Sequence, residues 1–284
     1  MRYLVTITLT LALCFAAQGY ALRTAGGRFL KSESNFFSSL GRIQAGAQGQ
    51  ADVLLLGSSI TGRLPDRAQG YQGFANMGCD GGSAVDALRA IDAGILPTAP
   101  IMVVETNTLH LALDDKPTEI GQALRKPWFK WGLKIPAIAS YGRPSAYFYS
   151  KLLAKRIGTF GAPELDSDLD VTTLPLVPNT ALVRPLEARE ESLVAEVAAI
   201  LGRLKARGVH VVFVWLPPAR SGGATTPEWI VELARRASVP NWELGKDARQ
   251  DWIQLTDGVH MAAPSAARTV VSLRKALVTT DQTR

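Results

Sequence analysis

Cysteine and histidine are scarce in this sequence, with two and three copies in 284 residues, and their scarcity removes several classes of function. Cys14 lies inside an N-terminal apolar run, so a mature domain would hold Cys79 alone. No intrachain disulfide framework can then form, and stability has to come from a conventional core. Cys79 is expected to be buried and inert. No spacing of His, Cys, Asp and Glu resembles a metal centre, and no glycine-rich phosphate loop is present. Neither a metal nor an organic cofactor is expected. Long runs of one charge are missing as well. The net charge of +6 favours acidic surfaces, whether anionic lipid, an acidic glycan or nucleic acid. The basic residues are scattered and no nucleic-acid motif appears, so nucleic acid is not an expected partner. No internal repeat is evident.

What is present begins at the N-terminus. Arg2 is followed by an apolar stretch from Tyr3 to Leu22, with Ala17, Gly19 and Ala21 near its end. It has the form of a bacterial export signal, with cleavage after Gly19 or Ala21. At about 20 residues it is equally long enough for an uncleaved membrane helix. Residues 1–22 are therefore read as signal or anchor. Either way residues 23–284 are expected to be exported, in the bacterial periplasm or anchored to the membrane and facing it. Arg23, Arg28 and Lys31 beyond the stretch oppose a simple positive-inside argument.

Strand and helix signals alternate through the remainder. Ser34 to Ala47 carries apolar residues at helical spacing, and Val53–Leu56 reads as a buried strand. A second strand is expected over Gly73–Met77, a helix capped by Ser83, and a central strand over Pro100–Glu105. After residue 188 come a helix over Glu190–Arg207, a strand over Val209–Trp215, a helix over Pro227–Ala237, a short strand ending at Leu244 and a C-terminal helix. This order predicts an α/β domain with a mainly parallel sheet. Residues 109–188 break the pattern. There Lys126 to Lys134 mixes aromatics with lysines, Tyr147 to Ile157 reads as a basic amphipathic helix, and Pro163 to Pro185 is acidic. The region is read as an insertion beside the active site. The expectation is a helical flap packed on the domain, with contact to a membrane interface or a partner as the other reading.

Two segments carry chemistry. Asp52-Val53-Leu54-Leu55-Leu56-Gly57-Ser58-Ser59-Ile60 delivers hydroxyls to the C-terminal end of a buried strand, where open α/β sheets place their sites. Asp257-Gly258-Val259-His260 offers a carboxylate and an imidazole three residues apart. A serine needs a base to remove its proton and a third group to hold that base. His210 enters a strand and His110 borders the insertion, which leaves His260 as the base by position. An isolated Asp-x-x-His is usually an ordinary loop; paired with the Gly-Ser-Ser strand end it points to acyl transfer at Ser59.

With these segments in view the chain resembles the SGNH (GDSL-like) hydrolases. Gly57-Ser58-Ser59 stands where that family has Gly-Asp-Ser. Asn76-Met77-Gly78-Cys79-Asp80-Gly81 is similar to its second block, and Glu105-Thr106-Asn107-Thr108 to its Gly-x-Asn-Asp block. Asp257 and His260 match the final Asp-x-x-His. The resemblance implies a three-layer α/β/α sandwich in which Ser59, His260 and Asp257 are catalytic. It also implies an oxyanion hole made by the Ser59 and Gly81 N–H groups and the Asn107 amide. Ser58, Glu105 and Thr108 depart from the pattern, and the orientation of Glu105 is left open. The Gly-Ser-Ser form behind an N-terminal apolar segment looks like exported members that act on cell-wall or exopolysaccharide acyl groups. The implied function is a serine esterase removing a small acyl group, acetyl, from an envelope carbohydrate. The alternatives are an O-acyltransferase with a membrane-protein partner, or an inactive SGNH fold that binds carbohydrate or assists assembly.

Overall fold

Val53–Leu56 form β1, buried along its whole length. The other strands are β2 (Phe74–Asn76), β3 (Ile101–Glu105), β4 (Leu176–Pro178), β5 (His210–Trp215) and β6 (Asn241–Leu244). A computed structural model describes residues 1–25, 32, 34–114, 118–140, 143–157, 174, 176–179, 184–216, 226–244 and 253–281. In it the six strands make one sheet in the order β2-β1-β3-β5-β6-β4. Every pairing is parallel except the antiparallel β4–β6 edge. Strands covered on both faces need continuous apolar runs, which is why β1, β3 and β5 read as they do.

Side chains alternate between two cores. Leu54, Leu56, Met102, Val104, Val211 and Phe213 point to one face, and Val53, Leu55, Val103, Val212 and Val214 to the other. The helices in chain order are α1 (Arg2–Ala25), α2 (Asn35–Gly46), α3 (Ser59–Gly62), α4 (Ala84–Asp92), α5 (Glu119–Leu124), α6 (Pro127–Lys134), α7 (Pro144–Ile157), α8 (Ala188–Ala206), α9 (Glu228–Ala237) and α10 (Ala263–Asp281). The first core is closed by α2, α4, α8 and α9, with Ile120, Leu124 and Phe129 from α5 and α6. Ala266, Val270, Leu273 and Leu277 of α10 close the second. Each fully buried leucine or valine contributes about 1.5–3 kcal/mol relative to exposure. The architecture is an α/β sandwich with helices on both faces of a mostly parallel sheet.

Ser83 caps α4 as expected, accepting from the Val85 N–H, and Ser34 caps α2 in the same way by accepting from the Phe37 N–H. β4 was not expected: it is a three-residue edge strand ending in proline, too short to show a period. Most of the acidic Pro163–Pro185 stretch lies outside the described residues. Within 109–188, residues 129–140 are tied to α2 and the turn that follows it. Gln44 of α2 donates to the Phe129 carbonyl at 3.1 Å and accepts from the Ser140 N–H at 2.6 Å, while Gln48 donates to the Leu133 carbonyl at 2.8 Å. Cys79 is buried, and burial pushes its thiol pKa up to about 12, so it is held as the inert thiol.

Candidate functional site

The site lies where the sheet changes direction. From β1 the chain goes to one side to make β2 and to the other to make β3, and the crevice beyond the carboxyl ends of such strands is open to ligands. β1 passes through Gly57 into α3. Ser58 occupies the N-cap position, its Oγ accepting from the Ile60 N–H at 3.1 Å, and Ser59 is the first helical residue. Gly57 is needed for its size, because a Cβ there would collide with the Glu105 carboxylate and the Thr61 hydroxyl.

Glu105, at the end of β3, is fully buried beneath this turn. Its Oε2 accepts from the backbone N–H groups of Ser58 at 2.8 Å and Thr61 at 3.1 Å, and from the Thr61 hydroxyl at 2.7 Å. Its Oε1 accepts from the Ser58 hydroxyl at 2.8 Å and the Thr108 hydroxyl at 3.2 Å. Ser58, Glu105 and Thr108, the three departures from the SGNH pattern that the sequence resembles, thus meet in one cluster. None of these bonds involves an expected oxyanion donor. The carboxylate fastens β3 to the turn that carries Ser59.

Ser59, His260 and Asp257 are brought together across 201 residues of sequence. His260 Nε2 lies 2.8 Å from Ser59 Oγ, and His260 Nδ1 lies 2.7 Å from Asp257 Oδ2. The other carboxylate oxygen, Oδ1, accepts from the backbone N–H groups of Val259 at 3.1 Å and His260 at 2.8 Å. Asp257 therefore folds its own turn and orients the imidazole with one side chain. The His260 backbone and side-chain hydrogen bonds hold its carboxyl down at about 2. A charged carboxylate on Nδ1 keeps the proton there, which leaves Nε2 to accept from Ser59. The loop is closed by an antiparallel bridge between Leu255 and Met261 and by a Thr256 N–H bond to the His260 carbonyl.

The expected oxyanion donors sit on the neighbouring strand ends. Leu56 pairs with Val104, so Ser59 and Asn107 each follow three residues beyond a matched pair. On the other side Ser58 bridges Cys79, two residues before Gly81. Asn107 Oδ1 accepts from the Leu216 N–H at 2.8 Å and its Nδ2 donates to the Leu216 carbonyl at 2.7 Å. This pair fixes the amide plane and leaves one Nδ2 hydrogen unspent. Gly81 has φ +74, a left-handed conformation that favours glycine. Neither its N–H nor that of Ser59 has a protein acceptor among the described residues.

Sequence reasoning missed the groups that hold these parts. Arg42 of α2 donates to the Gly78 carbonyl at 2.6 Å and to Asp80 Oδ1 at 2.9 Å, in an ion pair with about a tenth of each side chain exposed. Ser39 Oγ accepts from the Asp80 N–H at 2.8 Å. Asn76 Nδ2 donates to the carbonyls of Thr61 and Leu64, both at 2.7 Å, and its Oδ1 accepts from the Gly78 N–H. Asn76 was visible in the second block as a motif residue; nothing in the pattern around Arg42 marked it. His110 is exposed on a 3-10 turn and His210 is in β5, as expected. Among the described residues no cluster of three or more His, Cys, Asp and Glu side chains could hold a metal ion. Comparison of the chain with protein-family models, curated proteins and solved structures returned no match.

Proposed function

We propose that this chain is an exported, SGNH-type serine esterase that removes a small O-acyl group, acetyl, from an envelope carbohydrate. The observation that carries the reading is the Ser59–His260–Asp257 chain, with contacts of 2.8 and 2.7 Å. A hydroxyl, an imidazole and a carboxylate in that order are the parts of an activated nucleophile. The strand-end placement of Ser59, Gly81 and Asn107, each with an N–H unspent in the described structure, supplies donors for an oxyanion. The carbohydrate class rests on the family resemblance and on the apolar N-terminal helix.

In the proposed reaction His260 Nε2 takes the Ser59 proton as Oγ attacks the acyl carbonyl. The carbonyl electrons move onto oxygen, facing the Ser59 and Gly81 N–H groups and the Asn107 amide. The imidazolium then protonates the departing sugar oxygen, leaving acyl-Ser59. Water, deprotonated by His260, attacks that ester and releases the carboxylic acid with Ser59 restored. In the transferase alternative a sugar hydroxyl replaces this water. In the non-catalytic alternative the fold would bind carbohydrate or assist assembly; the 2.8 Å contact between Ser59 and His260 supports the catalytic reading over it.

The test is release of acetate from acetylated oligosaccharides by the wild type beside His260→Ala. We expect turnover that falls by several orders of magnitude in the variant, as for other serine–histidine pairs. Equal activity in the two proteins would remove the proposal.

A further inference from the structure

Positive charge is concentrated on one part of this molecule. Between Glu119 and Glu164 the sequence has no acidic residue and eight basic ones: Arg125, Lys126, Lys130, Lys134, Arg143, Lys151, Lys155 and Arg156. Of the net charge of +6 this segment supplies eight, leaving −2 for the rest of the chain. The same segment exposes large apolar side chains. On α6, Phe129 is fully buried in the domain core, while Trp128 and Trp131 are 42% and 58% exposed, and Ile135 at the helix end is 50% exposed. The spacing of three and four residues makes these a stripe on the outer side of the helix. Lys126, Lys130 and Lys134 are exposed alongside them. On α7 the pair Phe148 and Leu152, four residues apart, is 62% and 69% exposed, with Lys151 exposed between them. Ile138, in the 3-10 turn Pro136–Ile138 that follows α6, is exposed too.

This surface adjoins α1. Arg2–Tyr20 is long and apolar enough to cross a membrane, and none of that stretch is buried. α1 packs on the 3-10 turn and on α7, with the rings of Tyr20 and Tyr147 edge to face at 6.0 Å. Tyr20 closes the apolar span, the position at which tyrosine meets the headgroup layer.

We propose that α6, the 3-10 turn and α7 form a surface that lies on the anionic face of a lipid bilayer, at the foot of α1. Aromatic rings interleaved with lysines suit that boundary: the rings enter the acyl margin, and the lysine stems carry their charges back to the phosphates. The absence of acidic residues removes repulsion from anionic headgroups. Continuity with a membrane-length helix selects lipid over a protein partner. Because Gln44 of α2 and Gln48 of the turn after it hold α6, seating this surface fixes how the sheet is presented to the membrane. The proposal does not depend on the chemistry assigned to Ser59.

The test uses the full chain, with α1 confirmed present by mass, in vesicles of equal parts phosphatidylglycerol and phosphatidylcholine. Acyl chains brominated at mid-chain quench tryptophan at lipid contact. α1 contains no tryptophan, and Trp128 and Trp131 are two of six in the chain, so quenching reads this surface and not the spanning helix. We expect loss of roughly a third of the emission in the wild type, given the seating of tryptophan at membrane interfaces. Quenching disappears in Trp128→Phe/Trp131→Phe at an unchanged thermal midpoint. It also weakens in phosphatidylcholine alone and in Lys126→Gln/Lys130→Gln/Lys134→Gln, about fivefold in lipid partition for each lysine. Unquenched wild-type emission with α1 inserted, or quenching that survives in the double phenylalanine variant, overturns the proposal. So does lipid-independent self-association that shields the same two tryptophans, which would assign the surface to a second copy.

Discussion

Glu105 gathers hydrogen bonds from two backbone N–H groups and three hydroxyls without an ion pair among the described residues. Glu105→Gln would turn an amide donor toward a cluster made almost wholly of donors. The expected cost is about 1–3 kcal/mol of stability, the penalty for a buried polar group left unmatched, read from the denaturation midpoint. Since these bonds fix the turn carrying Ser59, kcat should fall while KM changes little. Asp257 gives a second residue-scale expectation. Its folded pKa is depressed, so its contribution to stability is present above the unfolded value near 3.8 and is lost as pH falls toward about 2. Half of its side chain is exposed, which keeps that contribution small. Carboxyl NMR should find Asp257 still ionised at pH values where exposed aspartates have titrated; titration at the ordinary value would contradict the hydrogen bonding described.

At the scale of elements, α2 supports the second block. The Arg42–Asp80 pair and the Arg42 bond to the Gly78 carbonyl hold the loop that ends at Gly81. Arg42→Ala would leave Asp80 as an uncompensated buried charge, a loss of about 3–5 kcal/mol, measurable by chemical denaturation. Unchanged stability would mean that the loop is held otherwise. Such contacts were not legible beforehand. β1, β3 and β5 announce themselves because burial on both faces demands unbroken apolar runs, and Ser83 because an N-cap needs a side-chain acceptor. Arg42 reads as one polar residue on an amphipathic helix. Ser58, Glu105 and Thr108 read as separate departures from a pattern, since only the Leu56–Val104 register brings residues 47 positions apart into contact. The meeting of Ser59, His260 and Asp257 was legible because acyl-transfer chemistry restricts residue types and the chain has few histidines.

For the whole molecule, the sheet order and its two cores place three strand ends side by side, and the loop before α10 brings His260 onto them. Two distant segments become one chain of hydrogen bonds only through that architecture. The exposed basic and aromatic surface on α6 and α7 is a property of the same scale. Lys126, Lys130, Lys134 and Lys151 are exposed on these elements, while Phe129 turns inward to the core.

The most direct measurement of the central claim is intact-mass spectrometry after exposure to an activated acetyl ester, with the wild type beside Ser59→Ala. The account predicts one acetyl group on the wild type, mapped to Ser59 and cleared by water, and none on an equally folded Ser59→Ala protein. An acetyl group that maps elsewhere, or the absence of both adduct and turnover across several acyl donors, would contradict it.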